Sequence, residues 1–147
     1  ARGHLQGCVR KIGGVDMLRA GVEGLAEGAE RAGLEPPCAL AVTVLTSDAG
    51  APAHILPKRV ATAVEAGCGG IVCAVSDARE ARLLGPRLTI VTPGIRPAGS
   101  PTHDQARSAT PQEAFDAGAD LLVIGRAVTH APDPVVAAAE LVESLTL

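Results

Sequence analysis

Short apolar runs of strand length alternate with amphipathic stretches along the 147 residues, and each amphipathic stretch that leads into a strand ends at a glycine. The first segment, 2–12, reads as helical, and after Gly13-Gly14 the apolar run 15–18 reads as a strand. Residues 19–32 place Leu25, Ala26, Ala29 and Ala32 on one helical face with charges opposite, and stop at Gly33 and Pro36-Pro37. Residues 38–45 form a continuous apolar, β-branched run, the pattern of a parallel strand buried on both faces.

The same unit then recurs. A helix over 57–66 leads through Gly67 to a strand over 70–74, and a helix over 77–84 leads through Gly85 to a strand over 88–91. A helix over 111–117 leads through Gly118 to a strand over 120–124, and a closing helix spans 134–145. Glycines predict the helix C-caps, while Ser76-Asp77 and Thr110-Pro111 predict N-termini. Five strands in strict β/α alternation imply parallel pairing with right-handed crossovers, in an open doubly wound sheet or a (β/α)8 barrel. Polar residues follow successive strands on one side: Thr46-Ser47, then Pro93 to Arg96, then Gly125-Arg126. Sites assembled from several successive βα loops are the habit of the barrel. The expected fold is therefore α/β, a (β/α)8 TIM barrel to which 1–147 contributes about five units as a single domain. A complete barrel takes about 250 residues, so the expectation is an incomplete chain that lacks the first three strands.

Composition narrows the chemistry. With 47% hydrophobic residues and a mean hydropathy of +0.27 there is enough apolar material for a buried core. A net charge of −3 and no basic stripe give nothing to hold a polynucleotide, so no nucleic-acid partner is expected. No apolar run approaches the roughly 20 residues of a membrane span, and the first residues have no signal-peptide layout, so a cytoplasmic protein without membrane association is expected. One Phe, no Tyr and no Trp leave little to stack on a base, so recognition must rest on polar groups and backbone. Cys8, Cys38, Cys68 and Cys73 have neither zinc nor redox spacing and read as small buried hydrophobes. His4, His54, His103 and His130 are scattered without nucleophile or metal spacing and are expected in solvent. No metal site is expected.

The chemistry-bearing words lie in the second half. Gly125-Arg126 directly follows the last strand and precedes a short helical turn near 127–129, where barrels bind phosphate through backbone N–H groups. Glycine admits an anion to the main chain and the guanidinium adds a bidentate charge. Thr92 to Pro97 leads into a polar loop, 98–107, long enough to serve as a lid, with Arg96 at its base and Gln105 and Arg107 within it.

These words occur in a specific order. Val42-Thr-Val-Leu-Thr-Ser47, Gly69-Gly-Ile-Val-Cys73, Val91-Thr-Pro-Gly-Ile-Arg-Pro97, Asp104-Gln105, Thr110-Pro-Gln-Glu-Ala114, Ala117-Gly-Ala-Asp120 and Val123-Ile-Gly-Arg126 together resemble the orotidine 5′-phosphate decarboxylase family. The resemblance runs from about Ala39 to the end, the C-terminal portion of the family's barrel. It implies a homodimer that converts orotidine 5′-monophosphate to uridine 5′-monophosphate and carbon dioxide, in de novo pyrimidine synthesis, without a cofactor. Residue by residue, it implies that Arg126 and the Gly125 backbone hold phosphate and that Arg96 is a second phosphate or lid contact. Gln105 corresponds to a lid glutamine bridging pyrimidine and phosphate, Thr46 to a substrate contact, and Pro93 to a residue packed on the pyrimidine. Ser47 neighbours Thr46 without a defined role.

The family's catalytic array is a different matter. Its Asp-x-Lys-x-x-Asp stabilises and protonates the carbanion left by carbon dioxide. No such array occurs here: Lys11 and Lys58 are the only lysines, and neither has aspartates at those offsets. No catalytic residue is therefore assigned. The family also inserts a turn where Leu18 runs straight into Arg19, and more residues after Ser47, so at least one loop is expected to be missing along with the amino-terminal third. Competing expectations are another phosphate-binding barrel enzyme, such as a hexulose-phosphate synthase, keto-gulonate-phosphate decarboxylase or ribulose-phosphate epimerase, or a catalytically inactive phosphate-ligand binding module.

Overall fold

The structure is a computed structural model that describes residues 8–9, 14–44, 50–97 and 109–145. Its strands are β1 (Cys8–Val9), β2 (Leu40–Val42), β3 (Gly70–Val72), β4 (Thr89–Pro93) and β5 (Leu121–Val123). The helices are α1 (Val15–Ala32), α2 (Ile55–Glu65), α3 (Val75–Leu84), α4 (Pro111–Asp116), α5 (Arg126–Thr129) and α6 (Pro134–Glu143).

All strand pairs are parallel and the spatial order is β1-β2-β3-β4-β5, with no switch point. A doubly wound sheet reverses its order part-way along; a barrel wall does not. The architecture is thus five consecutive strands of a (β/α) barrel wall.

Alternation along each strand separates two apolar layers. Ala41, Ile71, Cys73 and Ile90 turn toward the helices and join Leu18, Leu56, Val60, Ala63, Ala78 and Ala81 in the main core. Leu40, Val72 and Val91 cluster on the opposite face. On β5, Leu122 packs with Ile95, Ala114 and Ala119, whereas Leu121 and Val123 are exposed. At Gly70, β3 leaves no room for a side chain: a Cβ there would lie 2.5 Å from the Thr89 carbonyl oxygen and 2.6 Å from Leu40 Cδ2.

The first unit differs from expectation. Residues 15–18 are not a strand but the first turn of α1, and the first strand is Cys8–Val9, inside the segment expected to be helical. Gly14 is the N-cap, Asp16 stands in the first turn, and Leu18, Val22, Leu25 and Ala29 continue one stripe through Arg19. A four-residue apolar run has no period of its own, and here the helical stripe downstream claims it. Ala26 and Ala32, expected on the buried face, are exposed. Since Val15 to Ala32 is one helix, no turn is required at Leu18, and the argument for a missing loop there loses its premise.

Caps follow the sequence at some ends only. Thr110 forms a reciprocal capping box with Glu113, and Gly33 closes α1 in the left-handed conformation at φ 65°. Ser76-Asp77 does not cap α3; the N-cap is Ala74, without a side-chain bond, and Gly85 ends that helix at φ −134°. Among the described residues no helix is long and apolar enough to cross a membrane.

Candidate functional site

Two loops at the carboxyl end of the sheet frame a cleft. After β4 the chain turns at Gly94, whose φ of 82° admits glycine at little cost. The next two residues are fastened to Ala109. Ile95 bridges Ala109, the Arg96 N–H donates to the Ala109 carbonyl at 2.9 Å, and the Ala109 N–H donates to the Gly94 carbonyl at 3.3 Å. After β5, Ile124 leads to Gly125, whose carbonyl accepts from the Val128 and Thr129 N–H groups and so starts α5. β4 and β5 are in register with Pro93 opposite Val123, which brings the two turns side by side.

Between them lies a cleft of about 210 Å³ lined by Pro93, Gly94, Ile95 and Arg96 from one turn and Val123, Gly125, Arg126 and Ala127 from the other. The two arginines therefore share one space, and among the described residues its lining contains no carboxylate. Arg96 is 8% exposed, and its buried Nε has no hydrogen-bond partner among the described residues. A buried guanidinium N–H without an acceptor is costly unless an oxyanion supplies one. Arg126 stands at the exposed mouth, beside the open backbone of Gly125. The arrangement suits a dianionic group: one guanidinium below, one at the rim, and apolar Pro93 and Val123 toward the strands.

Of the residues singled out from sequence, Pro93, Arg96, Gly125 and Arg126 are thus brought together. Thr46, Ser47, Gln105, Arg107 and His103 lie outside the described residues, as does His4. His54 and His130 are exposed, as expected. Cys68 and Cys73 are buried and Cys38 is half-buried, all three as free thiols. Burial pushes the Cys73 thiol up to about 12, with Asp77 adding to the shift and Arg82 opposing it. No group of three or more His, Cys, Asp or Glu that could hold a metal occurs among the described residues.

Sequence reasoning missed Val123 and Ala127 as cleft walls; the strand register sets Val123 beside Pro93, and Ala127 lines the same cleft from α5. It also missed Thr43. This fully buried residue donates both its N–H (2.9 Å) and its hydroxyl (2.8 Å) to the Val72 carbonyl, while its own carbonyl accepts from Arg59 Nη1 at 2.7 Å.

Comparison with known proteins adds the family. A model of the Orotidine 5′-phosphate decarboxylase / HUMPS family matches residues 9–141. An orotidine 5′-phosphate decarboxylase of Thermobifida fusca is 47% identical over 148 residues, which cover 93% of this chain and 60% of the relative. One from Paramagnetospirillum magneticum is 45% identical, covering 95% of this chain and 64% of the relative. Among solved structures, orotidine 5′-phosphate decarboxylase from Lactobacillus acidophilus superposes with a TM-score of 0.74 at 29% identity, over 99% of this chain and 65% of that one. The chain therefore spans about three-fifths of the length of the curated relatives it matches.

Proposed function

Since the chain belongs to the Orotidine 5′-phosphate decarboxylase / HUMPS family, we propose that the protein acts in the decarboxylation of orotidine 5′-monophosphate to uridine 5′-monophosphate and carbon dioxide, and that residues 1–147 are one domain corresponding to the C-terminal portion of the family's barrel. The observation that carries this reading is the common cleft of Arg96 and Arg126, which offers two guanidinium groups and a glycine backbone to a phosphate monoester.

In this reading Arg126 and the Gly125 N–H hold the phosphate and Arg96 approaches it from the buried side. Pro93 packs against the pyrimidine, Thr46 contacts the substrate, and Gln105 bridges base and phosphate. The phosphate is remote from the carbon that loses carbon dioxide. Its binding energy accelerates the reaction only where it holds the ring against groups that favour the transition state. These residues bind and orient; none of the 147 supplies the lysine array, so none is given a catalytic role. The reading extends to a cytoplasmic homodimer acting on a small molecule and not on nucleic acid, supported by family membership and the net charge of −3.

The test is orotidylate absorbance followed with protein expressed from the complete reading frame. Turnover is expected, with Arg126→Ala raising KM by about tenfold to a hundredfold, the worth of a charge-assisted contact. Absence of turnover by verified complete protein rejects the decarboxylase and leaves an inactive phosphate binder.

A further inference from the structure

Cys38 and Cys68 stand thirty residues apart in the chain, and neither lines the cleft of Arg96 and Arg126. β2 and β3 pair in parallel with Leu40 opposite Gly70, and the Ala39 carbonyl accepts the N–H groups of Gly69 (3.1 Å) and Gly70 (3.2 Å). Those bonds carry the pairing back past Leu40, so Ala39 stands opposite Gly69 and Cys38 opposite Cys68. Residues directly opposed on neighbouring strands have Cα atoms about 5 Å apart, inside the roughly 4.4–6.8 Å that a disulfide spans. Gly69 puts no side chain in the way: a Cβ on it would lie 2.7 Å from Cys38 Sγ, so that sulfur rests against the backbone one residue from Cys68. Both are free thiols, Cys38 half-buried and Cys68 buried. Burial raises both, and Cys38 adds to the shift at Cys68, as expected of two sulfurs within electrostatic reach. A cavity of about 310 Å³ lined by Val64, Cys68, Gly69, Leu84, Arg87 and Leu88 opens beside Cys68.

We propose that Cys38 and Cys68 are a dithiol modification site, closed by a peroxide to a disulfide that ties the entry of β2 to the entry of β3. Cys38, the more exposed of the two, meets peroxide first: its sulfur takes one oxygen to become a sulfenic acid, and the first water leaves. The Cys68 sulfur then attacks Cys38 Sγ; the S–S bond forms, the S–O bond breaks, and the oxygen departs with the Cys68 proton as the second water. Two thiols lose two electrons and one peroxide is reduced to two waters. Because the two backbones already run side by side, closure needs side-chain rotation and no movement of the chain. The bridge fixes a thirty-residue connection at the amino end of the sheet, away from the cleft. Its formation does not depend on the decarboxylase reading.

The experiment treats the protein, expressed from the complete reading frame, with hydrogen peroxide, blocks remaining thiols with iodoacetamide in urea, and maps tryptic peptides without reduction. Cleavage leaves Cys38 in 32–58 and both Cys68 and Cys73 in 60–79. The expected product is these two peptides joined, two hydrogens lighter than their sum, with fragment ions placing the link at Cys68, from protein that runs as a single chain on a non-reducing denaturing gel. Dithiothreitol should undo the link and Cys68→Ala should abolish it. The oxidised protein should melt about 5–10 °C above the reduced one. The inference is overturned if peroxide leaves the two cysteines unlinked, whether as thiols or as separate sulfinic acids, if the link falls at Cys73, or if it joins two chains. A link that lowers the melting temperature overturns it too, because the two residues were then not preset in the fold.

Discussion

Arg82 offers a measurable handle on what holds the last two strands together. It lies near the end of α3 and reaches beneath the sheet. Nη1 donates to the carbonyls of Leu88 (2.9 Å) and Pro86 (3.1 Å), and Nη2 donates to the Gly118 carbonyl (2.9 Å) and Asp120 Oδ2 (2.6 Å). The same Oδ2 accepts the Ile90 N–H at 2.7 Å, so one guanidinium and one carboxylate join the residues entering β4 to those entering β5. Replacing Arg82 by Met keeps most of the stem and removes the four guanidinium bonds. The two part-buried carbonyl bonds are worth about 1 kcal/mol each, and the two exposed bonds about half that. The ion pair is discounted because its side chains are 30% and 46% exposed. The expected loss is about 3 kcal/mol, or a fall of about 10 °C in melting temperature for a domain of this size. Asp120→Asn retains an acceptor for the Ile90 N–H and should cost under about 1 kcal/mol. The double variant should show a coupling of about 0.5 to 1 kcal/mol. With no Trp or Tyr, the assay is urea unfolding followed by far-ultraviolet circular dichroism. An Arg82→Met protein within about 0.5 kcal/mol of wild type, at an unchanged m-value, would show that water replaces the guanidinium at these carbonyls and would refute the reasoning.

Three further outcomes are expected. Gly70→Ala places a methyl 2.5 Å from the Thr89 carbonyl oxygen, a backbone atom, and should destabilise by about 1–3 kcal/mol in the same unfolding assay; a neutral substitution would mean the strands separate freely. Hydrogen bonds from the Thr110 N–H (2.7 Å) and hydroxyl (2.9 Å) hold the Glu113 carboxyl below its ordinary value of 4.5. Its contribution is therefore complete above that value and is lost as pH falls through the lower, folded one, so the melting-temperature advantage over Glu113→Gln should vanish in acid; an advantage that persists at the lowest pH contradicts the assignment. Cys73, 1% exposed with its thiol near 12, should resist iodoacetamide at pH 8 until the protein unfolds, and native labelling as fast as in urea would argue against its burial.

The strand–helix order from Leu40 onward was legible because each strand is a short apolar run and the helices before β3, β4 and β5 each stop at a glycine, Gly67, Gly85 and Gly118. Thr110-Pro-Gln-Glu113 announced its helix by local chemistry alone, and the capping box formed. The first unit was not legible, because Val15 to Leu18 is too short to display a period and its fate depends on Leu25 and Ala29, two and three turns away. Strand limits were also overextended. Among the described residues of that run, 38–44, the strand is Leu40 to Val42; Thr43 still donates its N–H to Val72 but gives its carbonyl to Arg59, a residue that no local pattern marks. The cleft was half legible: glycine followed by arginine after a strand signals an anion site, and so does an arginine after Pro-Gly. That Val123 joins its walls follows from the pairing of Pro93 with Val123, and that Ala127 does follows from where α5 begins.

The fastening by Arg82 and the cleft that holds Arg96 and Arg126 occupy opposite ends of the same two strands, β4 and β5. Substitutions beneath the sheet can reset heat tolerance while the upper turns stay as they are, and the upper turns can exchange side chains to suit a new ligand without undoing the wall. A lineage that moves to a hotter habitat and one that changes its substrate would therefore accumulate changes on different rims of an otherwise common scaffold.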